Sequence, residues 1–137
     1  MGSGYNGYGH TEGAKNRFKP QELMEQLKHS GVKYTEKDVV LVTKNYDNKL
    51  LWLEKGNEQS GLKHIMDGHK NNFKGINVPA LIKTLAKQKP ISHYEKNEGK
   101  QLSDVYIYKK NGKTYLLAYG DNGYIVTFYR ISGGKYV

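Results

Sequence analysis

The chain has no cysteine among its 137 residues. That excludes disulfides and thiolate metal sites, and it leaves either redox compartment open. No stretch approaches the roughly 18 consecutive apolar residues of a membrane span, so no membrane partner is expected. The opening, "MGSGYNGYGHTEG", lacks the apolar segment of a signal peptide, and any export signal would lie upstream of it. Its "GYNGYG" is too short for a phosphate loop and precedes no strand-to-helix transition, so its glycines read as flexibility. Residues 1–17 are therefore taken as a flexible glycine-rich linker or tail, and residues 18–137 as one domain, a length able to bury a single core. Internal repeats, low-complexity blocks and repeating βαβ units are also missing from the sequence.

Acidic residues are in the minority. Lysine and arginine number 22 against 13 aspartates and glutamates, a net charge of +9, with an isoelectric point near 9.5. Such a surface attracts polyanions, either nucleic acid or an acidic protein. Twelve tyrosines supply rings that pack in strands and hydroxyls that can meet a phosphate or a base edge.

"FKPQELMEQLKHSG" predicts a first helix, with Pro20 suited to its opening turn, Leu23, Met24 and Leu27 as its apolar stripe, and Gly31 as its stop. "DVVLVTKN" and "KLLWLEK", joined by "YDN", predict a β-hairpin with Trp52 in the core. "EQSGLKHIMDGHKNNF" predicts a helix whose apolar stripe is Leu62, Ile65, Met66, His69 and Phe73, and "INVPALIKTLAKQKP" predicts another between Pro79 and Pro90. A polar loop containing His93 follows. Then "DVYIYKK", "KTYLLAYG" and "GYIVTFYRI", separated by the turns "NG" and "DNG", predict a three-strand antiparallel meander. The expected class is α+β, with N-terminal helices packed on one face of an antiparallel sheet.

His64 and His69 stand five positions apart, which on a helix is about 140 degrees around the axis. They do not share a face, and the four-residue spacing of a helical zinc pair is missing; no metal and no cofactor is expected. His69 falls on the apolar stripe, where a core histidine is the competing account, whereas His64 faces away from it beside Lys63. Histidine suits proton transfer near neutral pH because its ordinary pKa is about 6.5. RNA carries its own nucleophile, so a base for the 2′-hydroxyl, an acid for the 5′-oxygen and cations for the developing charge suffice for cleavage. His64 and His69 are the candidate base and acid, and Lys63 and Lys70 the neighbouring cations. On the last strand, alternation puts Ile125, Thr127 and Tyr129 on one face and Val126, Phe128 and Arg130 on the other. Thr127 and Tyr129 are candidates to hold or protonate phosphate, and Arg130 to bind it if it turns toward the site. An ordinary half-buried strand is the competing account for all three. His10 in the tail, His29 at a helix end and His93 are given no role.

A tryptophan strand, then "GLKHIMDGH" and "F", then a terminal "YIVTFYRI", together resemble the barnase, EndoU, colicin and RelE group of ribonuclease domains. The likeness runs from about Phe18 to Ile131 and is nearest to the phage-associated, polymorphic-toxin and contact-dependent-inhibition branches. It implies a helix-then-antiparallel-sheet fold and metal-independent RNA cleavage leaving a 2′,3′-cyclic phosphate, commonly on tRNA. It also implies delivery within a larger toxin to a target cell's cytoplasm, monomeric action, and a cognate acidic immunity protein that covers the site. The resemblance maps its helix histidines onto His64 and His69 and its strand hydroxyls onto Thr127 and Tyr129. The wider histidine spacing and downstream lysine of the EndoU branch are not seen here. The competing functions are a noncatalytic module that binds RNA or protein, and a phage accessory protein of the same fold.

Overall fold

The computed structural model describes residues 17–68, 73, 75–98 and 101–131. The chain is α+β, as its patterning predicts: helices α1 (Gln21–His29), α2 (Gly61–Gly68) and α3 (Val78–Ala86) accompany a two-stranded and a four-stranded antiparallel sheet. Helix α1 begins on the carbonyl of Pro20, which accepts from the Met24 amide at 2.9 Å. Glu22 in its first turn and Lys28 and His29 in its last match the helix dipole. Asn77 caps α3 by accepting from the Ala80 amide at 3.1 Å, with Pro79 in the first turn.

The first sheet pairs β1 (Val39–Lys44) with β2 (Leu50–Glu54). Asn45 shapes the connection, its side-chain oxygen accepting from the Asp47 and Lys49 amides at 2.8 Å each. Strand β1 is a continuous β-branched and leucine run because both of its faces are covered. Leu41 faces the main core, while Val39 and Val42 join Leu27 of α1 and Trp52 of β2 in a smaller one. A strand buried on two sides has no polar face to alternate with.

The second sheet is a meander of β3 (Ser92–Glu98), β4 (Gln101–Lys110), β5 (Lys113–Gly120) and β6 (Ile125–Ile131) in that order. It has four strands where the sequence predicts three. The segment expected as a polar loop, His93 included, is β3, paired with β4 from Ser92 opposite Ile107 to Glu98 opposite Gln101. Its sequence, "SHYEKNE", is polar because an edge strand outside the core has little apolar surface to bury. Asn111 and Gly112, both at positive φ (53° and 77°), form the tight turn that matches strand twist between β4 and β5.

One face of the meander closes the main core. Tyr106, Tyr108, Tyr115, Leu117, Tyr119, Ile125 and Phe128 meet Leu62 and Ile65 of α2, Phe73, and Val78, Ile82 and Leu85 of α3. Val105, Ile107, Leu116 and Ala118 are buried on the opposite face. Among the described residues no helix is long and apolar enough to cross a membrane.

Burial raises the phenol pKa of Tyr106, Tyr108 and Tyr119, because a low-dielectric interior disfavours phenolate. In the unfolded chain these groups ionise near pH 10. The folded state then holds more protons than the unfolded one above that pH, so their stabilising contribution is intact below about pH 10 and lost as pH rises beyond it. Thermal denaturation between pH 8 and 11 should show a falling midpoint above about pH 10, steepest at about 1.4 kcal/mol per pH unit for each phenol. Tyr119→Phe should flatten that decline.

Candidate functional site

Helix α2 is launched by a loop folded on itself. Past Glu54 the chain turns at Gly56 (φ 70°) and again at Gly61 (φ 85°), with the two glycines packed back to back. A Cβ on Gly56 would sit 2.7 Å from the Gly61 Cα, and one on Gly61 would sit 2.8 Å from both the Gly56 Cα and the Glu54 carbonyl oxygen. Only glycine satisfies both the backbone angle and the space. Between them Asn57 accepts from the Gln59 and Ser60 amides at 2.8 and 3.2 Å and donates its own amide to the Ser60 carbonyl at 2.9 Å. The Lys63 amide reaches back to the Lys55 carbonyl at 2.8 Å.

The helix lies alongside β6. At its start the Ser60 hydroxyl is 2.9 Å from that of Tyr124, and beyond its end Phe73 stacks on Phe128 with centroids 5.1 Å apart. Leu62 and Ile65 face the core, and His64 is half-buried at the helix edge. His64 Nδ1 lies 2.9 Å from the Glu58 carbonyl oxygen. A carbonyl can only accept, so Nδ1 carries the hydrogen, and in the neutral ring the lone pair is on Nε2. The loop therefore fixes both the orientation of the ring and its tautomer. Lys63 is engaged with Asp67 one turn on, Nζ to Oδ2 at 2.6 Å, on the exposed side of the helix. His69 and Lys70 lie outside the described residues.

Strand β6 departs from strict alternation. Ala118 pairs with Thr127 but Tyr119 pairs with Ile125, so Val126 is an extra residue in a bulge. Ile125 and Phe128 consequently share the core face, whereas Thr127 and Tyr129 face the other way, opposite Ala118 and Leu116. This corrects the grouping of Ile125 with the two hydroxyls. Helix α2 packs on the core face, so the structure does not bring Thr127 and Tyr129 onto the face that carries His64. The Thr127 hydroxyl oxygen is sealed from solvent and has no hydrogen-bond partner among the described residues. Tyr129 is partly buried against the apolar cluster of that side.

Arg130, paired with Tyr115, is on the α2 side, one rung beyond Phe128. Diagonally across from it Lys113 stands directly opposite Lys110. Like charges in opposite cross-strand positions are destabilising, and here a third cation adjoins them. Sequence reading missed the two lysines. Their signal was "KKNGK", where a two-residue hairpin turn places the residue before it opposite the residue after it.

The opposite edge of the same face carries a second constellation missed with β3. His93, paired with Tyr106, stacks on its ring at 4.3 Å, and Tyr106 stacks on Tyr119 at 4.5 Å. The Tyr119 oxygen accepts from Asn45 Nδ2 at 2.8 Å, and Asp104 Oδ1 lies 3.5 Å from His93 Nε2. Among the described residues no group of three or more histidine, cysteine, aspartate or glutamate side chains is arranged to hold a metal ion.

Because the glycine contact sets the entry of α2, Gly61→Ala should destabilise the fold by at least about 2 kcal/mol. Urea denaturation measures this, and Gly68→Ala, where a Cβ meets nothing within 4 Å, is the control expected to cost little. Compared with known proteins, the chain matches no family model and no curated protein.

Proposed function

We propose that the chain is an endoribonuclease that works by acid–base catalysis without a cofactor, acting as the toxin domain of a larger delivered protein. The observation that carries this reading is the anchored His64. A ring held by Nδ1–H to a backbone carbonyl has its orientation and tautomer set, with the lone pair of the neutral ring on Nε2, the nitrogen proposed as base. In the proposed step Nε2 takes the proton of a ribose 2′-hydroxyl, and the freed oxygen attacks the adjacent phosphorus. The bond to the 5′-oxygen breaks, and a protonated group returns a proton to that oxygen. The products are a 2′,3′-cyclic phosphate and a 5′-hydroxyl. His69 is the proposed acid.

Lys110, Lys113 and Arg130 are the proposed phosphate clamp, supported by the net charge of +9 and by the opposed pair Lys110 and Lys113, whose mutual repulsion a bound polyanion relieves. The same charge favours a cognate acidic immunity protein, steered to the site by opposite potential, and RNA, tRNA included, as substrate. The site of action would be the cytoplasm of a target cell, where such RNA lies.

A second reading, a noncatalytic RNA- or protein-binding module, is favoured by one observation: the hydroxyls of Thr127 and Tyr129 lie across the sheet from α2.

Total RNA incubated with the protein in EDTA separates the two readings. The nuclease reading expects discrete fragments with cyclic-phosphate ends and a loss of about a hundredfold or more in rate for His64→Ala. Intact RNA from folded protein, with divalent ions absent or restored, would sink it in favour of the binding module. A further expected outcome concerns the clamp: Lys110→Ala with Lys113→Ala should weaken binding to RNA of any sequence and make the dependence of affinity on salt shallower, as loss of phosphate contacts requires. Fluorescence anisotropy at several salt concentrations measures it.

A further inference from the structure

The core face of the meander ends at β3 in a feature that proton transfer does not use. Tyr119, Tyr106 and His93 form a ladder of near-parallel rings, with interplanar angles of 10° and 5° and spacings of 4.5 and 4.3 Å. The ladder crosses from β5 to β4 to β3, from fully buried Tyr119 to a His93 side chain 44% exposed. Strand β3 is the edge of its sheet, so one face of the imidazole rests on Tyr106 and the other points past the edge.

We propose that this outer face of His93 is a stacking site for one unpaired nucleobase of single-stranded RNA, which becomes the fourth ring of the ladder. The inference rests on the RNA reading above and adds to it a subsite away from the reacting phosphate.

Three observations carry it. The ladder is preorganised: Tyr119 is buried and hydrogen-bonded to Asn45, and Tyr106 is buried on top of it, so little order remains to be imposed when a base arrives. Two exposed large hydrophobic side chains lie near the ladder: Ile91 stands two residues before His93, and Tyr46 lies near enough to Tyr106 to influence its ionisation. Tyr94, opposite Val105, is on the other face of the sheet. Exposed apolar groups beside a preorganised ring suit a contact surface.

This edge places carboxylates beside the imidazole. Asp104 is beside His93, and Glu95 is paired with Asp104. Carboxylates repel phosphate but accept hydrogen bonds from the amino groups of bases, so the edge is suited to the base while the backbone runs toward the lysines. Ring stacking tolerates any base, and the carboxylates favour those with an amino group. Tyr106, opposite His93, and Lys110, opposite Lys113, are four residues apart along β4, about 13 Å, a reach of a few nucleotides.

The test is equilibrium binding of a fluorescein-labelled 2′-O-methyl hexa-adenylate to the full chain, followed by anisotropy. The 2′-O-methyl groups remove the nucleophile, so binding is read without cleavage. The wild type is expected to bind, His93→Ala to bind about tenfold more weakly, and His93→Trp, which restores a ring of larger face, to bind at least as well as the wild type. Replacing adenines in turn by abasic residues should weaken wild-type binding at one position and leave His93→Ala indifferent there. Circular dichroism of the variants confirms that the exposed substitution keeps the fold.

Equal binding by His93→Ala and the wild type, equal binding of an entirely abasic strand, or no binding of the oligonucleotide at all would each overturn the proposal. The last result would leave the patch to a protein partner. Cleavage of total RNA without His93-dependent stacking defeats this subsite alone, and stacking without cleavage defeats the nuclease reading alone.

Discussion

The seam between β2 and the start of β6 holds the molecule together. The Trp52 amide donates to the Gly123 carbonyl at 3.0 Å, and Trp52 and Tyr124 form a parallel bridge that joins the two sheets. Around it the buried indole packs edge-on against Tyr124 at 5.6 Å and donates Nε1–H to Glu54 at 2.8 Å. The Tyr124 hydroxyl then reaches Ser60, the residue before α2. One aromatic pair thereby fixes sheet to sheet and sheet to helix. A polar tip on each ring is what permits this, since the rings fill the core while Nε1–H and the hydroxyl find partners at its margin. The orientation of His64 depends on the same seam, because its carbonyl partner belongs to the loop that Trp52 and Tyr124 pin between them.

Elements whose signals are local were legible in the sequence. The hairpin β1–β2 announced itself by a β-branched run, a turn of Asn and Asp, and a second apolar run; the Asn-Gly turn fixed β4 against β5; Pro79 marked the start of α3. Strand β3 was illegible because its residues are those of a loop. What makes "SHYEKNE" a strand is the backbone of β4 beside it, and period-two hydrophobicity is not required of a strand with no core face of its own to fill. The bulge at Val126 was hidden for a similar reason. "IVTFY" alternates plausibly in either register, and only the pairing of Ala118 with Thr127 and Tyr119 with Ile125 decides which side chains turn inward.

That one extra residue divides the candidate site. Without the bulge, the hydroxyls of Thr127 and Tyr129 would share a face with Ile125, and hence with α2. With it, they share a face with Leu116 and Ala118. Sequence proximity of chemical groups on a strand therefore gave the wrong surface, although each residue type was sound for the chemistry. The helix side was more faithful, since His64 stands off the apolar stripe where a 3.6-residue period puts it. The proposed chemistry accordingly shifts from the strand hydroxyls to the helix histidine and the cationic rung of Lys110, Lys113 and Arg130.

The tyrosines show how composition alone misleads about nucleic-acid contact. Their abundance suggested rings available for bases, yet Tyr106, Tyr108, Tyr115 and Tyr119 are at most 6% exposed. A buried phenol must find a partner or forgo hydration at a cost of about 1–3 kcal/mol. Tyr119 has Asn45, but the Tyr108 hydroxyl has none among the described residues. Phenylalanine would fill the same volume without that cost, so volume alone does not explain tyrosine in this row. Stacking gives a partial account: Tyr119 and Tyr106 carry ring order from the core to the sheet edge, and only His93 presents a face outward. The face this ladder presents to a ligand is then one imidazole, while the buried rings behind it supply rigidity.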